Sequence, residues 1–142
     1  MADVLLVYWS GTGNTEIMAE KIKEGIEQQG LKVHMATVDE VTPSDVETYD
    51  KLLFGCPSMG EEELEETEFE PFFEEVSSLI AGKHVGLFGS YGWGEGDWMS
   101  LWETRVKDAG AVLFQEGLKV NYTPTDEDEE NCVQFGEAFA AI

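Results

Sequence analysis

Basic residues are scarce in this chain. Lysine and arginine number 8 against 30 aspartates and glutamates, for a formal net charge of −22. Nucleic-acid binders draw most of their affinity from Lys and Arg on phosphates, so no nucleic-acid partner is expected. The acid excess fits either basic protein partners with steered encounters or a merely soluble surface. Cysteine is almost absent as well. Cys56 and Cys132 make no metal-ligand spacing, and both read as small buried residues, with no metal implied. Two unlinked thiols point to a reducing, cytoplasmic setting. No apolar run approaches the roughly 18 residues that a membrane helix needs, so no membrane is expected. Met1-Ala2-Asp3 runs straight into a strand pattern, without the basic and apolar stretches of a signal peptide. The two histidines, His34 and His84, stand alone near strand ends and read as structural or exposed.

What is present is an ordinary core. Hydrophobic residues make up 42% of 142 positions, which fits one folded domain, 1–142. Strand and helix patterns alternate, with no repeat and no linker. Val4 to Trp9 reads as the first strand, Leu31 to Val38 as the second and Lys51 to Cys56 as the third. His84 to Gly89 is the fourth, and a fifth lies within Ala111 to Tyr122. Glu16 to Gln29 reads as a helix with Met18, Ile22 and Ile26 on one face, ended by Gly30. Thr42-Pro43-Ser44-Asp45 starts a short helix. Phe69, Phe72, Phe73, Val76 and Ile80 form a further helical stripe. Its start is either a Thr67–Glu70 capping box or Pro71 in a first turn. Asp97 caps a helix whose face carries Trp98, Leu101, Trp102 and Val106, read as core. Thr125 and the acids after it open a last helix, with Cys132, Phe135 and Phe139 inward. This alternation predicts an α/β fold: a doubly wound five-stranded parallel sheet of order 2-1-3-4-5, with helices on both faces. Its switch point would bring the loops after strands 1, 3 and 4 to one edge.

The first of those loops is Ser10-Gly11-Thr12-Gly13-Asn14-Thr15. Gly11 and Gly13 permit a tight turn and close approach of the backbone to a ligand. The first amides of the following helix have no partner inside it and favour an anion. Ser10, Thr12, Asn14 and Thr15 add hydroxyl or amide donors, and the loop holds no Lys or Arg. A nucleotide-hydrolysing loop needs Gly-Lys-Ser/Thr where Gly13-Asn14-Thr15 stands. The dinucleotide fingerprint needs a third glycine, which is missing, although Asp39 sits where a ribose-binding acid would. A phosphomonoester held by neutral donors fits; an ordinary Gly-rich turn remains the alternative. The loop after strand 3 is Pro57-Ser58-Met59-Gly60-Glu61-Glu62, and the loop after strand 4 runs from Ser90 to Trp98. Tyr91 and Trp93, set between glycines, are poor core candidates and suit stacking on a flat ring. The implied ligand is an aromatic ring carrying one phosphate.

Three segments resemble one family. Tyr8 to Thr15, Gly55 to Glu62 and Leu87 to Gly94, in that order, are similar to the short-chain flavodoxins of anaerobic bacteria such as clostridia. The likeness covers the whole chain, including Phe69-Glu70-Pro71-Phe72, and the fifth strand lacks the long insertion of the long-chain class. It implies a flavodoxin-like fold, non-covalent FMN and one-electron transfer at low potential, with no catalytic residues. Ser10, Gly11, Thr12, Gly13, Asn14 and Thr15 would hold the phosphate. Trp93 would stack on the outer face of the ring and Met59 on the inner face, beside Ser58 and Gly60. Glu62 would accept from ring N3–H. Ser90, Tyr91 and Gly92 would line the pyrimidine and ribityl side, with Gly94 a further contact of the same loop and Asn121 near the ribityl or the ring edge. The Gly60–Glu61 peptide would turn over on reduction to meet ring N5–H.

The expected function is that of a monomeric carrier cycling mainly between the neutral semiquinone and the hydroquinone. It would shuttle electrons between redox enzymes in place of ferredoxin. The acids Glu61, Glu62, Glu63, Glu65 and Glu66 form either a docking surface for basic redox enzymes or a solvated face. Three rivals are weaker. A flavin reductase would need a basic pocket for nicotinamide phosphates. A phospho-receiver would need acids where Trp9-Ser10 and Cys56-Pro57 stand, and a Cys56 phosphatase would need an Arg that Met59-Gly60-Glu61 does not offer.

Overall fold

The computed structural model describes residues 2–60 and 62–142. Five strand positions make one parallel sheet. The elements in order are β1 (Val4–Tyr8), α1 (Asn14–Gln28), β2 (Val33–Thr37), α2 (Pro43–Thr48), β3 (Lys51–Gly55), α3 (Phe69–Val76), β4 (His84–Tyr91), α4 (Asp97–Asp108), β5 (Val112–Leu113), β6 (Leu118–Asn121) and α5 (Asp126–Ala140). The sheet order is β2-β1-β3-β4-β5, with β6 also paired to β4. The expected sheet order is thus observed, except that the fifth strand is broken in two. Val112 and Leu113 pair with the start of β4, and Leu118 to Asn121 pair with its end. Between them Gln115 takes φ 51, and the Gly117 amide turns aside to donate to Glu103 of α4 at 2.5 Å. A side chain at Gly117 would meet Met99 Sδ at 2.2 Å, so the strand breaks where α4 presses closest.

Alternation along the central strands builds the two cores. Leu5, Val7, Leu52, Phe54, Val85 and Leu87 face α3 and α4, where Phe69, Phe73, Trp98 and Trp102 fill the layer. Val4, Leu6, Leu53, Phe88 and Val120 face α1 and α5, against Met18, Ile22, Ile26, Cys132 and Phe139. Strands buried on both faces read as unbroken apolar runs, and β1 is buried at every position. α1 and α5 touch backbone to backbone. A Cβ on Gly25 would lie 2.0 Å from Val133 O, and one on Gly136 2.1 Å from Ile22 O. Only glycine fits at either place.

Helix starts depart from expectation in an informative way. α2 opens as expected, with the Thr42–Asp45 capping box and Pro43 in the first turn. α5 opens on the equivalent Thr125–Asp128 box. α3 does not use Thr67 as its cap, but Pro71 does stand in its first turn, as the third residue after the cap position Glu68. The Glu65 carboxylate, from the loop ahead of it, accepts the amides of Thr67, Glu68 and Phe69 at 2.8, 2.8 and 2.9 Å. α4 is capped by Gly96 rather than Asp97, which is its first residue. Leu101 is not core: it is 64% exposed, and Met99 takes the inward place beside Trp98 and Trp102. No helix among the described residues is long and apolar enough to cross a membrane.

Candidate functional site

The loops after β1, β3 and β4 and the turn after β6 meet at one edge of the sheet, beside the switch point between β1 and β3. They enclose a slot of about 300 Å³. The β1 loop contributes Trp9, Gly11, Thr12 and Asn14; the β3 loop contributes Pro57, Ser58 and Met59. β4 and its loop contribute Ser90, Tyr91 and Gly92, and the last wall is Tyr122. Among the described residues, no charged side chain lines it.

Eight of the expected contacts therefore line the slot: Gly11, Thr12, Asn14, Ser58, Met59, Ser90, Tyr91 and Gly92. Others shape it from behind. Ser10 Oγ accepts the Gly13 amide at 3.1 Å and the Glu16 amide at 3.3 Å, folding the loop onto the start of α1. Gly13 caps α1 at φ 93, a left-handed conformation that favours glycine. Thr15 is buried at 1% exposure. Its hydroxyl shares a 3.0 Å hydrogen bond with Ser90 Oγ and accepts the Ser90 amide at 3.3 Å, tying α1 to β4. Among the described residues, the amides of Gly11, Thr12 and Thr15 find no protein acceptor. Neutral hydroxyls and free amides at a helix start are the donor set that a phosphate takes.

The β3 loop turns back on itself. Met59 and Glu63 exchange two amide–carbonyl bonds, each 2.8 Å, and Gly60 sits in the turn at φ 51. Gly60 lies beside an adjoining hollow of about 440 Å³, which also takes in Met59, Glu63 and Thr67. The role expected for Glu61 lies outside the described residues. Glu62, itself at φ 59, reaches across to the β4 loop. One oxygen, Oε1, accepts both the Gly96 and Asp97 amides at 2.8 Å. Gly94 fits beneath it at φ 92, where a Cβ would come within 2.8 Å of the Glu62 carboxyl carbon. Trp93 stands out at 65% exposure and Met59 at 39%. Tyr91 is half-buried against the core, with its ring 5.5 Å from that of Trp98. Asn121 braces the same loop: Nδ2 donates to Gly92 O at 2.9 Å and to Tyr91 O at 3.2 Å.

Three slot residues escaped the sequence reading: Trp9, Pro57 and Tyr122, of which Pro57 was read only as the first residue of the loop after strand 3. Trp9 follows an apolar strand and looked like its last residue; its indole Nε1–H donates to Glu68 Oε1 at 3.1 Å and its ring lies over Gly11. Tyr122 had no signal beyond its place at the end of the fifth strand. Behind the site, burial pushes the Cys56 thiol well above its ordinary value, with the nearby Glu65 and Glu70 charges adding to it. The Glu65 amide donates to that sulfur at 3.4 Å.

A model of the family described as Flavodoxin matches residues 6–136. The chain is 50% identical to a flavodoxin of Clostridium beijerinckii over 137 residues, covering 96% of this chain and 99% of that one. It is 45% identical to the flavodoxin of Megasphaera elsdenii over 137 residues, covering 96% and 98%. The solution structure of the two-electron reduced Megasphaera elsdenii flavodoxin superposes with a TM-score of 0.89, over 98% of this chain and 99% of that one. The slot, the sheet order and these matches agree: the chain belongs to the flavodoxin family, FMN-binding electron carriers rather than enzymes.

Proposed function

We propose that this chain binds FMN non-covalently in the slot and carries single electrons at low potential between redox enzymes, working as a cytoplasmic monomer. In this reading it alternates mainly between the one- and two-electron-reduced forms of the cofactor, as ferredoxin alternates between its own states. The observation that carries the proposal is the slot itself: free amides and neutral hydroxyls from the β1 loop, half-exposed Met59 and the Tyr91 and Tyr122 rings on its other walls, and, among the described residues, no charged side chain in its lining. FMN supplies a flat ring that accepts and returns electrons one at a time.

The chain's own groups do the rest. Thr12, Asn14 and the loop amides bind the phosphate without compensating its charge. Met59, and Trp93 from the neighbouring loop, would cover the ring and exclude water. Glu62 keeps Oε1 on the β4 loop, and Oε2 would be left to accept from ring N3–H. A Cβ at Gly60 would meet nothing within 4 Å, and glycine crosses between positive and negative φ at low cost. Gly60 would therefore be able to turn its carbonyl toward ring N5 and offer it an acceptor. A net hydrogen bond of about 1 kcal/mol corresponds to about 40 mV in a one-electron couple. Nearby carboxylates disfavour the added negative charge, each by about 0.4 kcal/mol at ~10 Å in a water-like medium. The net charge of −22 suits basic faces on the partner enzymes.

A visible spectrum of the purified protein is the test. Yellow colour that turns blue on partial reduction is expected, and a G60A variant should accumulate less of the one-electron-reduced form. A colourless protein that takes up no added FMN would overturn the proposal.

A further inference from the structure

We propose that Tyr122 is a cofactor contact that selects for the ring rather than the phosphate; this rests on the FMN reading above. Four observations meet at this residue. Its side chain is 62% exposed, so the core has no use for it, yet it lines the slot. Its backbone stands at φ 60, an outlier for an aromatic residue that is kept only when the surroundings impose it. Those surroundings are visible. The Tyr122 amide donates to Tyr91 O at 2.7 Å, one step beyond the last β4–β6 register pair, Tyr91 with Asn121. The Asn121 side chain fastens the same stretch to Gly92 O.

The ring then lies on Gly92. A Cβ there would come within 3.2 Å of Tyr122 Cε1, so glycine at 92 is what lets the phenol ring settle against the loop. The left-handed turn thus aims an aromatic plate at the slot from the β6 side. Met59 approaches from the β3 loop, and Thr12 and Asn14 lie at the phosphate end. A strained backbone that presents an apolar ring to solvent is costly unless a ligand covers that ring. A flat aromatic system is the chemistry that gains most from such a contact.

The test uses the full chain stripped of flavin and titrated with FMN and, separately, riboflavin, followed by flavin fluorescence. Y122A and Y122N should each bind FMN about three- to tenfold more weakly than the wild type. Riboflavin should weaken by the same factor, because the ring and not the phosphate is touched. Y122F should bind as the wild type does. Asparagine tolerates positive φ, so a loss in Y122A that Y122N does not share would mean backbone strain and would overturn the proposal. So would wild-type affinity in both variants, or a loss confined to FMN. If the wild type binds neither flavin, the FMN reading fails first and this proposal falls with it. Thermal unfolding of each stripped variant separates a binding loss from a folding loss.

Discussion

Removing the Glu65 carboxylate should cost the protein a large part of its stability, and the loss should depend on pH in one direction only. Glu65 is 5% exposed, and it sits ahead of α3 with its carboxylate turned onto the helix start. It accepts three amides within 2.9 Å, and also the Thr67 hydroxyl. A hydrogen bond to a charged group is worth about 1.5–3 kcal/mol, and losing a helix cap alone costs about 0.5–2 kcal/mol. These figures overlap, so E65A should lose about 3 kcal/mol. For a domain of this size that lowers Tm by about 6–12 °C. Burial by itself would raise the carboxyl pKa; the Thr67 hydroxyl and the amides of Phe69, Thr67 and Glu68 outweigh it and hold the group below the usual carboxylate range. The folded value then lies under the unfolded one of about 4.3. The stabilisation is complete above the unfolded value and is lost as pH falls through the folded one. The gap in urea midpoint between wild type and E65A should stay constant from neutral pH to about pH 5 and shrink below about pH 4. The relief of repulsion among 30 acids on acidification is common to both proteins and cancels in the difference. A Tm change under about 2 °C, or a gap that widens in acid, would refute the reasoning.

Glu62 offers a sharper pair of variants, because one oxygen takes both amides of the α4 cap. E62A should lose about 1–2 kcal/mol in chemical denaturation, while E62Q, which keeps a carbonyl oxygen there, should lose less than half of that. The Arg105 guanidinium holds Glu70 through two bonds of 2.6 and 2.8 Å and lies 4.8 Å from the Phe73 ring centre. Both partners are part-exposed, so R105A should cost only about 1 kcal/mol, and added salt should reduce the difference measured by thermal unfolding. Burial, with Asp128 and Glu129 beside it, pushes the Cys132 thiol up to about 12. Near pH 8 only about one thiol in ten thousand is then ionised, so a thiol reagent should label the native protein negligibly and both cysteines promptly in urea.

The sheet was legible because its central strands are buried on both faces and carry no polar interruption; β1, β3 and the middle of β4 show this in Val4–Tyr8, Leu52–Gly55 and Val85–Gly89. Helical stripes were legible for the same reason, at Met18, Ile22 and Ile26 and at Phe69, Phe72 and Phe73. What failed was whatever depends on residues distant in the chain. Leu101 has the right spacing for the α4 face, but the groove beside it is open and Met99 turns inward instead. The cap supplied by Glu62 lies 34 and 35 residues from the amides it takes and carries no local signature, since capping patterns describe neighbours three residues apart. Gly25 and Gly136 look like weak points of two helices until the backbones of α1 and α5 are seen to touch. In the site, motif residues were found and supporting ones were not. Thr15 and Ser90 look like ligand donors in sequence; in the fold one hydroxyl hydrogen of the pair is used to tie α1 to β4, a structural role that the sequence did not signal.

The acids beside the slot show why this distinction matters for function. In sequence, the run from Glu61 to Glu66 is a single charged patch. In the fold its members part company. Glu62 and Glu65 have their carboxylates on helix starts, whereas Glu63 and Glu66 are exposed. A helix terminus carries roughly half a positive charge, so the two capping acids are locally offset. The long-range field at the slot edge therefore rests more on Glu63 and Glu66 than a residue count implies. An exposed pair can be neutralised without touching a cap. The doubly substituted E63Q/E66Q protein should keep its unfolding midpoint while its electron transfer to a basic acceptor slows and loses part of its salt dependence. E62Q and E65Q should do the reverse, changing stability more than the salt slope. If all three variants shift the salt slope equally per carboxylate removed, the acids act as one undivided patch and the division into capping and docking carboxylates is wrong.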